Sequence, residues 1–143
     1  SGAIRGRHNI YSHLDLMVRN ADKSVVLMTT AKGLVRKAEA LKSAFEKLKK
    51  KGVKIRIATQ VNKENAQVVK ELSRYAEIRN ADKINARFLL VDGKELTFMV
   101  MHDDNVHPSY DIGVWVNTPY FAGALENMFE LAWKDMRSVN SRG

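Results

Sequence analysis

The sequence contains no cysteine among its 143 residues, and it contains only two prolines. The missing cysteine excludes a disulfide framework and a thiolate metal site, and it favours a cytoplasmic protein. No run approaches the roughly 20 apolar residues that a membrane-spanning helix needs, so we expect no membrane partner. The chain also lacks an initial methionine, and we interpret residues 1–3 as the remnant of a tag in front of an excised domain.

What the chain has instead is enough apolar material for one core, together with an excess of positive charge. Hydrophobic residues make up 45% of the sequence and charged residues 28%, which is typical of a folded single domain. The formal net charge is +8, and much of it lies between Lys47 and Arg56. Such a run can attract nucleic acid, but cations at the end of a helix also stabilise the helix dipole. No aromatic residue interleaves the run as in single-strand binding surfaces, which favours the second interpretation.

The first half of the chain is predicted to alternate between helices and strands. The spacing of apolar residues predicts helix, strand, helix, strand and helix in that order, at residues 8–20, 24–30, 34–51, 53–58 and 62–74. Gly52 supplies the stop of the second helix, and Asn62 is the expected N-cap of the third. Helices between successive strands favour a parallel arrangement of those strands.

The second half is predicted to be an antiparallel meander that ends in a helix. Its strand-like stretches are "AEIR", "ARFLLVD", "ELTFMVM" and "DIGVWVN". Gly93 and Lys94 are the expected two-residue turn between the second and third stretches, and Thr118 before Pro119 is the expected start of the last helix. We therefore predict one α/β domain over residues 4–137, with a mixed β-sheet flanked by helices, and a flexible tail over residues 138–143.

Asn85, Arg87 and Asp92 occupy the offsets of a phosphodiesterase motif, His-x-Lys-x4-Asp. In that motif the histidine attacks phosphorus, the lysine holds the phosphoryl oxygens and the aspartate orients a histidine. Asparagine cannot form a phosphoryl-enzyme intermediate, so we predict no catalytic residue. Arg87 keeps a planar donor fork that suits carboxylate or phosphate. The alternative is that Arg87 and Asp92 only flank a core strand, with Arg87 as the partner of an internal acid.

A second group of candidate ligand-binding residues lies in "MTTAKG", which follows a predicted strand and precedes a predicted helix. Ligands of α/β proteins collect at the carboxyl ends of strands, and N–H groups at the start of a helix attract anions. Thr29, Thr30 and Lys32 are therefore predicted to line a pocket for a small anionic effector. Asn85, Arg87 and Asp92 are the other candidates for the wall of this pocket. A loop that merely caps the helix is the competing interpretation.

The loop "HDDNVH" places His102, Asp104 and His107 close together in the sequence. Imidazole and carboxylate groups can ligate a divalent metal. The spacing matches no established site, however, and a solvated turn before Pro108 accounts for the same residues. The three residues are weak metal candidates, and we predict no metal and no cofactor.

Four stretches carry a wider resemblance, and together they cover nearly the whole chain. They are "IRGRHNIYSHLDLMVRNADKSVVLMTT", "LVRKAEALKSAFEKLKKKGVKIRIAT", "ARFLLVDGKELTFMV" and "GVWVNTPYFAGALENMFELAWKDM". In order and spacing they resemble the C-terminal domain of the TrmB family of archaeal transcription regulators. The resemblance implies a phospholipase-D-like fold without its catalysis, and a homodimer. It also implies a winged helix-turn-helix domain, outside this fragment, that binds DNA.

The sequence leaves three hypotheses about function. The first is a non-catalytic effector-sensing or dimerisation domain of a TrmB-like transcription regulator. The second is a phosphodiesterase-like hydrolase of the phospholipase D superfamily, against which Asn85 argues. The third is an auxiliary nucleic-acid-binding module that uses the basic run.

Overall fold

One eight-stranded sheet organises the protein, whose computed structural model describes residues 1–102 and 106–139. The strands are β1 (Gly2–Arg5), β2 (Ser24–Met28), β3 (Lys54–Thr59), β4 (Glu77–Asn80), β5 (Phe88–Val91), β6 (Glu95–Met99), β7 (Ile112–Asn117) and β8 (Arg137–Ser138). The helices are α1 (Arg7–Arg19), α2 (Ala31–Lys50), α3 (Ala66–Leu72) and α4 (Pro119–Lys134), and a 3-10 turn spans Pro108–Tyr110.

The strand order across the sheet is β1-β7-β6-β5-β2-β3-β4-β8. Strands β2, β3 and β4 run parallel, because α2 and α3 cross over between them. The remaining neighbours in the sheet are antiparallel. The predicted mixed sheet, with parallel strands early in the chain and an antiparallel meander later, is confirmed.

The central strands are apolar on both faces because helices cover both sides of the sheet. On one face, Val25 and Leu27 of β2 pack with residues of α1, α2 and α3. On the other face, Val26 packs with Phe129 and Trp133 of α4. Successive side chains of a strand point to opposite faces, so a strand covered on both sides needs the continuous apolar run that the sequence shows.

Helices α2 and α4 begin at the capping residues that the sequence provides. The Thr30 hydroxyl accepts a hydrogen bond from the Gly33 N–H (3.0 Å) and caps α2. The Thr118 hydroxyl accepts one from the Phe121 N–H (3.4 Å) and caps α4, as predicted. Gly52, with a φ of 81°, follows the end of α2 in a conformation that favours glycine.

Some local features of the fold differ from the predictions. Strands β1 and β8 were not predicted, because they have only four and two residues and show no apolar alternation. Helix α3 begins at Ala66 rather than after Asn62. The Asn62 side chain instead accepts a hydrogen bond from the Glu64 N–H (2.9 Å), so it stabilises a local turn that competes with helix formation.

Residues near both ends of the described chain take part in the sheet. Gly2 and Ala3 pair with β7, and Ser138 pairs with β4. The tag remnant at residues 1–3 and the flexible tail at 138–143 stay predictions, and residues 140–143 lie outside the described part of the chain. None of the described helices combines the length and apolar character needed to cross a bilayer.

Candidate functional site

A cavity of about 460 Å³, which we call the main cavity, opens at the carboxyl ends of β2 and β3. Its wall is made by the start of α2, the loop after β3, the loop before β5 and one residue after β6. The lining residues are Thr30, Ala31, Lys32, Gln60, Asn62, Glu64, Lys83, Ile84, Asn85 and His102. The carboxyl ends of parallel strands are the usual ligand-binding edge of an α/β sheet.

The loop between β2 and α2 divides its two threonines between the main cavity and the core. Thr30 lines the cavity while it caps α2. Thr29 is fully buried, and its hydroxyl accepts a hydrogen bond from the buried Lys37 Nζ (3.0 Å). Of the three predicted loop residues, Thr30 and Lys32 therefore reach the cavity, whereas Thr29 belongs to the packing beneath α2.

Positive charge dominates the main cavity. Lys32, in the first turn of α2, and Lys83, in the loop before β5, line it together with one carboxylate, Glu64. The amino end of α2 adds a partial positive charge and backbone N–H groups. These groups suit a small anion.

Asn85 lies at the rim of the main cavity, in the loop that precedes β5, and its side chain is exposed. His102, which follows β6, lines the same cavity. Both residues also line a second cavity of about 110 Å³, the small cavity, together with Thr30 and Arg87. From this place the Asn85 amide can offer a bound molecule both a donor and an acceptor.

Arg87 is buried, with 5% exposure, and it is engaged by groups of the protein itself. Its Nη2 donates to the Met101 carbonyl oxygen and to Asp111 Oδ1, the latter at 3.3 Å. Its Nε is buried without a hydrogen-bond partner, although Arg87 also lines the small cavity. The internal acid that competes with a ligand for Arg87 is therefore Asp111.

Asp111, the residue before β7, is the centre of a buried ion cluster that the sequence analysis missed. It is 1% exposed, and its Oδ2 accepts a hydrogen bond from Nε of Arg7 (3.2 Å). Because Arg87 contacts the other carboxylate oxygen, two cations share one anion, and the cluster has a formal charge of +1. Its only signal in the sequence is an acid directly before an apolar strand, which many surface turns also show.

Asp92 lies at the opposite end of β5 from Arg87, and it lines neither cavity. Its carboxylate accepts hydrogen bonds at 2.7–3.2 Å from the backbone N–H groups of Asp22, Lys23 and Ser24. Burial alone would raise the pKa of the Asp92 carboxyl. The three N–H donors and nearby Lys94 outweigh that effect, and they hold the pKa below its usual range.

Asp92 also forms the turn between β5 and β6. Asp92 and Gly93 both have positive φ (55° and 67°), and the Lys94 N–H donates to the Val91 carbonyl oxygen (3.1 Å). The predicted turn centre of Gly93 and Lys94 is thus wrong by one residue. Aspartate followed by glycine is the pair that such a turn favours, because both residues tolerate positive φ.

The two histidines considered as metal ligands have separate settings. His102 lines the cavities, whereas His107 caps the 3-10 turn, with its Nδ1 accepting a hydrogen bond from the Ser109 N–H (3.1 Å). Asp104, the third candidate, lies outside the described residues. Among residues 1–102 and 106–139, no group of three histidine, aspartate or glutamate side chains could hold a metal ion.

Proteins of known structure share this fold. The chain is similar to TrmBL2, an archaeal chromatin protein, with a TM-score of 0.74 and 20% identity over 96% of this chain and 54% of that one. It is similar to Nuc, a phospholipase D family member from Salmonella typhimurium, with a TM-score of 0.75 and 15% identity over 98% of this chain and 99% of that one. For NucT from Helicobacter pylori the TM-score is 0.72 at 12% identity, over 96% and 97% of the two chains. No family profile matches the sequence, and no curated protein matches it.

These similarities confirm the expected fold, and at such low identities they concern the fold alone. The chain spans about half the length of TrmBL2 (54%). Within this fold the three motif residues have three settings: Asn85 at a cavity rim, Arg87 in a buried ion cluster and Asp92 in a distant turn. The protein thus has a phospholipase-D-like fold, and Asn85 stands where the predicted motif would have its histidine.

Proposed function

We propose that this domain is a non-catalytic effector-sensing and dimerisation domain of a TrmB-like archaeal transcription regulator. The observation that carries the proposal is an open cationic cavity with asparagine, instead of histidine, at the motif's first position on its rim. The likeness to TrmBL2, an archaeal chromatin protein whose structure shows a novel mode of DNA binding, supports a regulator. In such a regulator, DNA would be bound through a winged helix-turn-helix domain outside these 143 residues.

The proposed effector is a small anion in the main cavity. Lys32 and Lys83 would attract it, the N–H groups at the start of α2 would bind it, and the Asn85 amide would contact it from the rim. Arg87 is less available than the sequence predicts, because Asp111 and the Met101 carbonyl oxygen occupy its Nη2. Its Nε is buried, so the part that Arg87 would play is to line the small cavity.

A thermal-shift screen of anions on the 143-residue chain tests this proposal. Phosphate, sulfate, dicarboxylates and phosphorylated sugars would be compared. An anion at 100 times its Kd should stabilise the folded chain by about 2.7 kcal/mol. The Lys32→Gln/Lys83→Gln variant should lose that stabilisation, whereas the control variant Lys42→Gln/Lys134→Gln, with exposed lysines outside the cavity, should keep it. A screen without any stabilising anion, or equal losses in both variants, would reject the effector.

A hydrolase is the second candidate function, and one observation favours it. His102 lines the main cavity together with two lysines, so an imidazole and cationic groups meet at one site. The test is turnover of a bis-aryl phosphodiester by the unmodified chain. We expect none. Metal-independent turnover that disappears in His102→Ala would instead establish the hydrolase.

A homodimer is the other part of the proposal, and the outer face of α4 supports it. Phe121, Met128 and Leu131 are 53%, 67% and 68% exposed, although such side chains are usually buried. With the half-buried Leu125 they form one apolar stripe along the helix. The stripe carries no charged side chain, so two copies of a chain with a net charge of +8 can meet there across a two-fold axis without placing like charges in contact.

Light scattering distinguishes a dimer from the 16.2 kDa monomer. The unmodified chain should show about twice the monomer mass at high micromolar concentration, and Met128→Glu/Leu131→Glu should show the monomer mass. Leu16→Glu is the matched control, because Leu16 is 59% exposed on α1, which covers the other face of the sheet. A monomeric unmodified chain would contradict the dimer, and a dimer that tolerates the α4 variant would contradict this interface.

A further inference from the structure

We propose that the end of the domain opposite the main cavity binds the phosphate backbone of double-stranded nucleic acid. Six exposed cationic side chains meet at this end, which we call the basic end: Lys23, Lys49, Lys50, Lys51, Lys54 and Arg74. The proposal does not depend on an effector, because none of the six lines the main or the small cavity.

The backbone brings the first of these residues together at the amino ends of β2 and β3. The Lys54 N–H donates to the Lys23 carbonyl oxygen (3.1 Å), so Lys23, directly before β2, lies beside Lys54, the first residue of the parallel strand β3. The Lys51 Nζ reaches the Ala21 carbonyl oxygen (3.4 Å) and ties the end of α2 to the same place. The basic run of the sequence therefore continues, in space, onto the loop before β2.

A cleft of about 280 Å³ lies between Lys49 and Lys54 on one side and the segment after α3 on the other. Lys49 and Lys54 line one part of it, and Ser73 and Tyr75 line another. Arg74 lies between the latter two in the chain and is exposed. The cationic surface thus extends from the end of α2 to the segment after α3.

The helix dipole explains only part of this cluster. Lysines in the last turn of α2 stabilise the partial negative charge at its carboxyl end. Lys23, Lys54 and Arg74 belong to other segments, where no such effect acts on them. Among the described residues no ion pair engages any of the six cations. The nearby acids Asp22 and Glu46 are exposed. Three others are bonded to groups of the protein itself: Asp92 to the N–H groups of the loop before β2, Glu71 to Gln67, and Glu77, which also lines the cleft, to Arg79.

The chemistry of the basic end fits a nucleic-acid duplex better than other acidic partners. An amphipathic membrane anchor needs several apolar side chains beside its cations. Among the described residues, the one large exposed apolar residue close in sequence to the basic end is Leu16, in the last turn of α1. Binding of a protein partner usually depends on a few buried apolar or aromatic side chains, which this surface lacks. Single strands are held by exposed aromatic rings, whereas Tyr75, the ring in the cleft, is half-buried against the core. A surface of five lysines and one arginine suits sequence-independent contacts with a duplex backbone.

Fluorescence anisotropy of a labelled 20-base-pair duplex, titrated with the 143-residue chain between 50 and 200 mM salt, tests the proposal. If about five cations reach phosphates, the slope of log Kobs against log salt should be about −4.5. Lys49→Gln/Lys50→Gln/Lys54→Gln should reduce this slope by about 2.7 and weaken binding more than tenfold at the lowest salt. The control Lys42→Gln/Lys63→Gln/Lys134→Gln removes the same charge from other exposed positions, and it should keep the slope.

Each other outcome decides against the proposal. Equal weakening by both triple variants would mean attraction by net charge rather than by the basic end. Absence of binding at 50 mM salt would remove the duplex as a partner. Stronger binding to single-stranded oligonucleotides, or to vesicles with anionic lipid, would assign the surface to a different partner. All substituted lysines are exposed, and unchanged thermal unfolding would verify that the variants fold.

Discussion

The two ends of strand β5 hold two residues of one sequence motif, and the protein uses them in opposite ways. At one end Arg87 is buried in an ion cluster with Asp111, beside the small cavity. At the other end Asp92 is half-buried and ties its turn to the loop before β2 through backbone N–H groups. The first is a buried charge with one anionic partner and one carbonyl oxygen, whereas the second is a partly exposed charge with several backbone donors. The motif spacing identifies the residues that flank the strand, but it does not identify what each of them contacts.

The largest expected effect of a single substitution concerns the Arg87 end. Asp111→Ala leaves Arg7 and Arg87, with side-chain exposures of 11% and 5%, without their shared anion. Breaking a buried pair in this way costs roughly 3–5 kcal/mol of the free energy of unfolding. Arg87→Ala should cost less, because Asp111 keeps Arg7 as a partner. Urea unfolding, with the slope of each transition checked for constancy, measures both losses.

A control for the buried cluster is the more exposed pair of Arg19 and Asp15 on α1 (2.9 Å), with side-chain exposures of 35% and 29%. Removing Asp15 should cost only about 0.3–0.5 kcal/mol, because water screens such a pair. If Asp111→Ala were no more destabilising than Asp15→Ala, the cluster at the Arg87 end would not be a structural element, and the comparison of the two ends would fail.

The second effect is smaller and concerns the Asp92 end. Asp92→Ala removes the acceptor of three backbone N–H groups and places a Cβ-bearing residue without a polar side chain at a φ of 55°. Because the carboxylate is partly solvated, we expect a loss of about 2 kcal/mol in the free energy of unfolding. Asp92→Asn keeps a neutral acceptor and a residue that tolerates positive φ, so it should lose about half as much. Equal losses in the two variants would show that charge, rather than turn geometry, is the main contribution.

The contribution of Asp92 to stability should also depend on pH. The pKa of Asp92 is lowered in the folded chain, so its ionised form is favoured by folding. Its contribution to stability is therefore complete above the unfolded pKa of about 3.9, and it is lost as the pH falls through the folded pKa. Urea midpoints between pH 6 and pH 2.5 should fall more steeply for the unmodified chain than for Asp92→Asn. Parallel pH profiles would show that the backbone hydrogen bonds do not depend on the charge.

The elements with strong periodicity could be predicted from the sequence, and the contacts made by distant segments could not. The α2 stop at Gly52 and the α4 cap at Thr118 are local, and each rests on residues within one turn. Edge strands β1 and β8 have no local signal, since their pairing with β7 and β4 is what defines them. The burial of Arg56 could not be predicted either. Alternation in β3 predicts an exposed basic residue at this position, yet α4 covers that face of the sheet and Arg56 is buried in an ion pair with Glu130.

The candidate site also contains residues that the sequence predicts and residues that it does not. Thr30, Lys32 and Asn85 could be predicted as cavity residues, because a strand-to-helix loop and a motif frame are visible in the sequence. Lys83 could not, since only the fold brings its loop beside α2. The ion cluster joins Arg7 to Asp111 across 104 residues, and no periodicity or spacing connects them.

The smallest expected effect on stability concerns Asn85, at the rim of the main cavity. Asn85 is exposed, so Asn85→His should change the free energy of unfolding by no more than about 0.5 kcal/mol. It restores the motif's nucleophile type, but we expect no turnover of a bis-aryl phosphodiester, because Arg87, at the lysine position, is held by Asp111 and the Met101 carbonyl oxygen.

The double variant Asn85→His/Arg87→Lys sharpens the test. Activity in the double variant alone would identify the inward Arg87 contact as the barrier to phosphoryl chemistry. Activity in Asn85→His itself would mean that Arg87 can leave its partners and reach the cavity, and the contrast between a buried end and a surface end of β5 would no longer hold.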